Sequence, residues 1–229
     1  MTRAVRAELL TAGQAEAAQE RAAGALRSAG ARPGDRVVFS LPSSAALLCA
    51  VLGALRTGVV PVLLNATLQD AERDQLIDDA DPCLTITDRG RLDELDAGSP
   101  VELAPHPLAR PMHYTSGTTG RAKGVWSGLW DPATARAAYE DEADQWSFGP
   151  GDVHLVCSPM YHSVSVRFAG GTLQRGGSCI ILERFDAEVA TALLLGRDAE
   201  CGPLPVPTTT FMAPSALHRL MESGRSRSP

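Results

Sequence analysis

Residues 114–125 read Tyr-Thr-Ser-Gly-Thr-Thr-Gly-Arg-Ala-Lys-Gly-Val. Thr115, Ser116, Gly117, Thr118, Thr119 and Gly120 form one run of small or hydroxylated residues, and Lys123 follows after an Arg121-Ala122 step. Such a run brings backbone N–H groups, Ser and Thr hydroxyls and an ammonium to bear on one anion. A polyphosphate suits it, because its many oxygens need donors from several directions. Glycine at 117 and 120 lets the backbone come close to a ligand or adopt φ > 0. The spacing is not that of a Walker A loop, which needs Gly-Lys-Ser/Thr after four residues, nor that of the GxGxxG dinucleotide fingerprint. The plainer alternative is a Gly/Thr surface turn between two strands.

Working outward, helix and strand signals alternate. Residues 12–29 are Ala-rich, with Gly30 placed to stop a helix. Residues 36–41 predict a strand, and Ser43 or Ser44 caps an almost wholly apolar helix ending at Gly58. Residues 59–64 are continuously apolar, as in a strand covered on both faces. A helix over 67–80 and a strand over 83–87 complete a βαβαβ rhythm. Residues 88–110 carry Gly, Pro and charges and read as a lobe boundary. Beyond it, a strand starting at Met112 feeds the loop, followed by an acidic helix over 131–146 (Glu140, Asp141, Glu142, Asp144) that reads as a solvated face. Strands over 153–157, 178–182 and 208–212 then alternate with helices over 164–174, 187–195 and 214–221, the second capped by Asp186 and the last started by Pro214. The expectation is an α/β fold of two βα-layered lobes with mainly parallel sheets, divided as 1–110 and 111–221, with 222–229 a disordered tail.

Bulk properties narrow the function. A chain of 229 residues can bury a sizeable core. Its net charge of −6 argues against nucleic acid as a partner, since no basic face is available. The five cysteines are odd in number, widely spaced and free of any CxxC pair, which reads as reduced thiols in a cytoplasmic protein. No signal peptide is evident, and the longest apolar run, 45–55, is too short to span a bilayer.

The 114–125 stretch resembles the phosphate loop of the adenylate-forming (AMP-binding) enzymes, which include acyl-CoA synthetases, peptide-synthetase adenylation domains and luciferases. It matches their Tyr-Thr-Ser-Gly-Thr-Thr-Gly-x-Pro-Lys-Gly-Val form except at Ala122, where the family usually has proline. Residues 29–37, 51–58, 158–163, 185–186 and 207–214 are similar to further family segments, so the resemblance covers about residues 12 to 221. The family's aromatic-Gly-x-Thr-Glu and Thr-Gly-Asp motifs are not found, and neither are its hinge and lid. The chain therefore resembles the N-terminal part of an adenylate-forming large domain.

The resemblance implies that ATP, with Mg²⁺, activates a small carboxylic acid to an acyl-adenylate, which passes to a thiol such as coenzyme A. Thr115, Ser116, Gly117, Thr118, Thr119, Gly120 and Lys123 would hold the phosphates. His162, in Ser158-Pro159-Met160-Tyr161-His162-Ser163, would orient the acid, or else be a structural residue. Tyr114 is expected to pack before the loop, and Trp126 and Trp130 either line a pocket or pack on the surface. His113, His154 and His218 show no catalytic pattern. A hydrophobic or fatty acid is the expected substrate. The alternatives are an inactive nucleotide-binding remnant and an amino-acid-activating fragment, with a non-enzymatic interaction module third. Self-association through an exposed sheet edge is also expected.

Overall fold

The computed structural model describes residues 5–115, 123–197 and 202–225. In chain order, the first part runs β1 (Ala7–Thr11), α1 (Ala12–Ser28), β2 (Arg36–Phe39), α2 (Ala45–Arg56), β3 (Val60–Leu63), α3 (Asp70–Ala80), β4 (Leu84–Ile86) and α4 (Arg89–Asp96). The second runs β5 (His113–Thr115), β6 (Lys123–Val125), α5 (Pro132–Trp146), β7 (Val153–Val156), α6 (Ser163–Gln174), β8 (Ser178–Leu182), α7 (Ala187–Leu194), β9 (Thr209–Thr210) and α8 (Pro214–Arg225).

The expected α/β class with mostly parallel sheets is what the chain forms. One sheet has the order β3-β2-β4, all parallel. The other has the order β1-β8-β7-β9, parallel except for the antiparallel pairing of β1 with β8. A two-stranded hairpin, β5-β6, is tied to the first sheet by a parallel bridge between Met112 and Val62 and by the Met112 N–H donating to the Pro61 carbonyl at 2.8 Å.

Alternation along the strands explains how the second sheet is covered on both faces. Val156, Cys179 and Ile181 join the large core that also holds β2, β3 and α2. Their neighbours Leu155, Cys157, Ile180 and Leu182 join a smaller core with Ala190 and Leu193 of α7. The continuously apolar α2 is buried from Leu47 to Arg56, as a helix with no solvent face must be.

Local chemistry sets the helix ends. Thr11 and Gln14 form a capping box at α1, Ser44 caps α2 by accepting from the Leu47 N–H, and Asp186 caps α7 as expected. Gly58 ends α2 with φ +76°, a conformation that costs a residue with a Cβ. The α1 and α2 backbones lie so close that a Cβ on Gly53 would sit 2.5 Å from the Gln19 carbonyl oxygen. Arg56, 7% exposed, fastens the same pair. It donates to both carboxylate oxygens of Glu16 on α1 and to the Ala104 carbonyl at 2.7 Å.

Three elements differ from expectation. β1 was not expected, and it places residues 7–11 of the first segment in the sheet of the second. Part of the proposed boundary, 89–96, is the helix α4, capped by Asp88 and anchored by buried Leu92 and Leu95. The last helix continues to Arg225, so residues 222–225 of the expected tail are helical.

His154, on β7, is a core residue. It is 1% exposed, lies 3.0 Å through Nδ1 from Thr209 Oγ1 and stacks on Phe168. Burial pushes its pKa down to about 4. An imidazole that stays neutral in the fold but gains a proton on unfolding favours the unfolded state once pH drops below its ordinary value. Stability contributed by neutral His154 is therefore fully present above about pH 6.5 and is lost progressively down to about pH 4. The expected loss is about 3 kcal/mol across that window. Urea melts at pH 7 and pH 4.5 should show this loss in the parent and a smaller one in His154→Phe; equal losses would contradict it.

Candidate functional site

The hairpin that carries the Gly/Thr loop is held rigidly at its base. Thr115 and Lys123 face each other as the pair nearest the loop, followed by Tyr114 with Gly124 and His113 with Val125. The Tyr114 hydroxyl reaches Asp79 Oδ2 at 2.8 Å and the Leu76 carbonyl at 3.0 Å, its one proton shared between them, so the strand is pinned to α3. Burial, and then the Asp79 carboxylate, raise the Tyr114 pKa and keep the phenol neutral. This is the packing role expected of Tyr114. Lys123 is exposed at the head of β6. Ser116, Gly117, Thr118, Thr119 and Gly120 lie outside the described residues.

His162 is the residue before α6 and is exposed. Its ring centroid lies 4.5 Å from that of Tyr161, and its side chain makes no capping bond to the helix. The next residue, Ser163, lines a cavity of about 330 Å³ beside the hairpin, whereas His162 does not.

That cavity lies between α5, α6, the end of α2 and residues 107–113. Leu52, Leu55, Val166 and Phe148 give it apolar walls. Its polar wall is a cluster that the sequence did not reveal. Glu142 of α5 pairs with Arg110, and Arg167 Nε of α6 lies 3.1 Å from the same carboxylate oxygen. Glu142 therefore departs from the solvated face expected of its acidic run: its side chain is only 13% exposed. The guanidinium of Arg110 lies over the Trp130 ring at 5.0 Å, so Trp130 takes the pocket-lining option. Burial, and then the nearby Arg167 cation, lower the Arg110 pKa from its ordinary value.

His113 also lines the cavity, although no role was expected of it. Both of its ring nitrogens are buried without a hydrogen bond of good geometry among the described residues. Burial lowers its pKa, the Tyr161 backbone opposes that shift, and nearby His162 adds to it. The ring is thus neutral, with one donor and one acceptor on offer. Trp126 packs partly buried against the main core, under the guanidinium of Arg36 at 5.9 Å.

Comparison with known proteins places this arrangement. The model of the AMP-binding enzyme family matches residues 2–111 and 99–228. The chain belongs to the AMP-binding enzyme family. Within that family it is 39% identical over 200 residues to pyochelin synthetase PchE of Pseudomonas aeruginosa, covering 82% of this chain and 14% of PchE. It is 27% identical over 253 residues to 3-hydroxybenzoate–CoA ligase of an Aromatoleum strain, covering 95% of this chain and 46% of that ligase. ATP-bound MatB from Rhodopseudomonas palustris superimposes with a TM-score of 0.72 at 26% identity, over 93% of this chain and 46% of MatB. The chain thus spans less than half the length of these AMP-binding relatives. Among its described residues, no helix is long and apolar enough to cross a membrane, and no group of three His, Cys, Asp or Glu side chains could hold a metal ion.

Proposed function

We propose that this chain is the nucleotide-phosphate and acid-binding part of an ATP-dependent acid–thiol ligase. The observation that carries the reading is the Tyr-Thr-Ser-Gly-Thr-Thr-Gly-Arg-Ala-Lys-Gly-Val loop hung on a hairpin whose base is pinned to α3 and β3. Thr115, Ser116, Thr118, Thr119 and Lys123 grip the β- and γ-phosphates of ATP, while Gly117 and Gly120 let the backbone approach them. The bound acid's carboxylate oxygen attacks the α-phosphorus, the bond to the bridging oxygen breaks, and pyrophosphate leaves with the electron pair. In-line displacement of this kind asks the protein mainly for positioning and for charge placed where the leaving group develops it. Thr and Lys donors fit a polyphosphate, and ATP brings Mg²⁺ with it; no described residue is assigned to the metal.

The sulfur of a thiol such as coenzyme A then attacks the acyl carbonyl, the bond to the adenylate oxygen breaks, and AMP and the thiol proton are released. His162 contributes at the acid end, next to Ser163 at the cavity rim. Support comes from family membership and from the likeness to an ATP-bound structure and to an aromatic acid–CoA ligase. Phe211, exposed next to the two-residue edge strand β9, supports self-association at that edge, and α8 adds exposed Leu217 and Met221.

Incubation of the purified chain with ATP, Mg²⁺ and a panel of acids tests the reading. The expected result is pyrophosphate release and an acyl-AMP mass. Bound nucleotide without pyrophosphate would support the inactive-remnant alternative, and no nucleotide bound at all would end both readings.

A further inference from the structure

The acid expected from resemblance was hydrophobic, but the cavity beside the hairpin carries a charge imbalance that a fatty chain would leave unused. Arg110 and Arg167 share one carboxylate, that of Glu142, so among the described lining residues the polar wall keeps one positive charge beyond it. The three side chains are between 13% and 35% exposed, so water screens that charge only in part. Donor capacity is also left over. A guanidinium has five N–H groups, and Arg167 Nε is buried without a hydrogen bond of good geometry despite its ion pair. His113, whose ring nitrogens make no hydrogen bond of good geometry among the described residues, lines the side of the cavity that leads into β5.

The remaining walls are apolar, with the flat Trp130 ring backing Arg110. At about 330 Å³ the cavity is at the small end of ligand sites. Guanidinium groups match carboxylates in a planar, two-point geometry that a point charge does not. Apolar walls, a ring platform and spare guanidinium donors together fit a compact acid with an anion at each end.

We propose that the α5–α6 cavity holds the acid substrate and that Arg110 and Arg167 select a compact dicarboxylic acid, its second carboxylate taken by the guanidinium pair. Glu142 competes for those arginines in the empty cavity and sets how strongly the second carboxylate is held. The proposal rests on the reading of the chain as an acid-activating protein and names the acid class that reading leaves open.

Binding of isophthalate, benzoate and octanoate to the 229-residue chain, followed by titration calorimetry, tests it, with ATP binding measured separately. Isophthalate is expected to bind at least tenfold tighter than benzoate or octanoate. Arg167→Met should reduce that preference to less than threefold. Glu142→Gln should strengthen isophthalate binding severalfold, an effect opposite in sign to any folding defect. Benzoate or octanoate binding as tightly as isophthalate, or a Glu142→Gln variant that binds isophthalate no better than the parent, overturns the proposal. Discrimination among acids without ATP binding would sustain the cavity's assignment and sink the ligase reading. ATP binding without discrimination would do the reverse.

Discussion

In a full-length ligase that carries this chain, Lys123→Ala is expected to slow acid-dependent ATP–pyrophosphate exchange by roughly 10- to 100-fold. A bond from an ammonium to a phosphate oxygen contributes about 1.5–3 kcal/mol, and that energy counts toward rate where charge accumulates on the departing pyrophosphate. The position leaves the ammonium little else to do. Lys123 is exposed and heads β6 directly across from Thr115, and the hairpin base is fixed by Tyr114 and Met112, not by the lysine. Its removal should therefore leave the fold intact, so the melting temperature should match the parent within a degree or two while exchange falls. Lys123→Arg, which keeps the charge, should recover part of the loss. Exchange equal to the parent's in the alanine variant would remove the lysine from the phosphate site and the loop assignment with it.

A large loss of stability is expected of Gly53→Val. A Cβ at this position would meet three backbone atoms of Gln19, the oxygen at 2.5 Å and two carbons at 3.2 and 3.3 Å, none of which can rotate away. Helix α1 cannot simply retreat. Its capping box, the Arg56–Glu16 pair and the contact of Arg56 with Gln19 Oε1 at 3.2 Å all hold it against α2. Overpacking of this kind costs about 3 kcal/mol. That is a large share of the stability of an ordinary domain and corresponds to a fall of roughly 10 °C in Tm. Gly13→Ala is the matched control, since nothing lies within 4 Å of its added Cβ, and it should be neutral or slightly stabilising. If Gly53→Val melted with the parent, the two helices would be packed more loosely than described.

Much of the fold was legible because the strongest signals were local. The unbroken apolar stretch 59–64 and the apolar α2 both imply complete burial, and both are buried. Asp186 and Pro214 announce helix starts by chemistry that needs no distant partner. What was missed depends on long-range contact. Ala-Glu-Leu-Leu-Thr runs without a break into the Ala-rich α1 and mixes polar with apolar residues, and its partner β8 lies far along the chain. Arg-Gly-Arg-Leu-Asp-Glu-Leu-Asp is highly charged, and only Leu92 and Leu95, three residues apart, mark its buried face.

The same reasoning applies to the site. The loop could be read as a motif, but Arg110, Glu142 and Arg167 meet only when α5 packs on α6. One signal for Glu142 was available. Ala135, Tyr139 and Glu142 recur at the spacing of a single helical stripe, and buried Ala135 identifies that stripe as the inward one. In an acidic run, position around the helix decides which carboxylate is turned inward.

The pairing of Ala7 with Leu182 also bears on how the protein is made. A nascent chain emerges from the ribosome amino end first, so β1 appears while β8 has yet to be translated. Val5, destined for burial among Leu155, Ile180 and Leu182, must wait for partners made about 150 or more residues later. Stapling residues 7–11 to residues 178–182 delays closure of this sheet until residue 182 has been made, and pauses in translation before codon 182 should lengthen the interval in which chaperones can bind it.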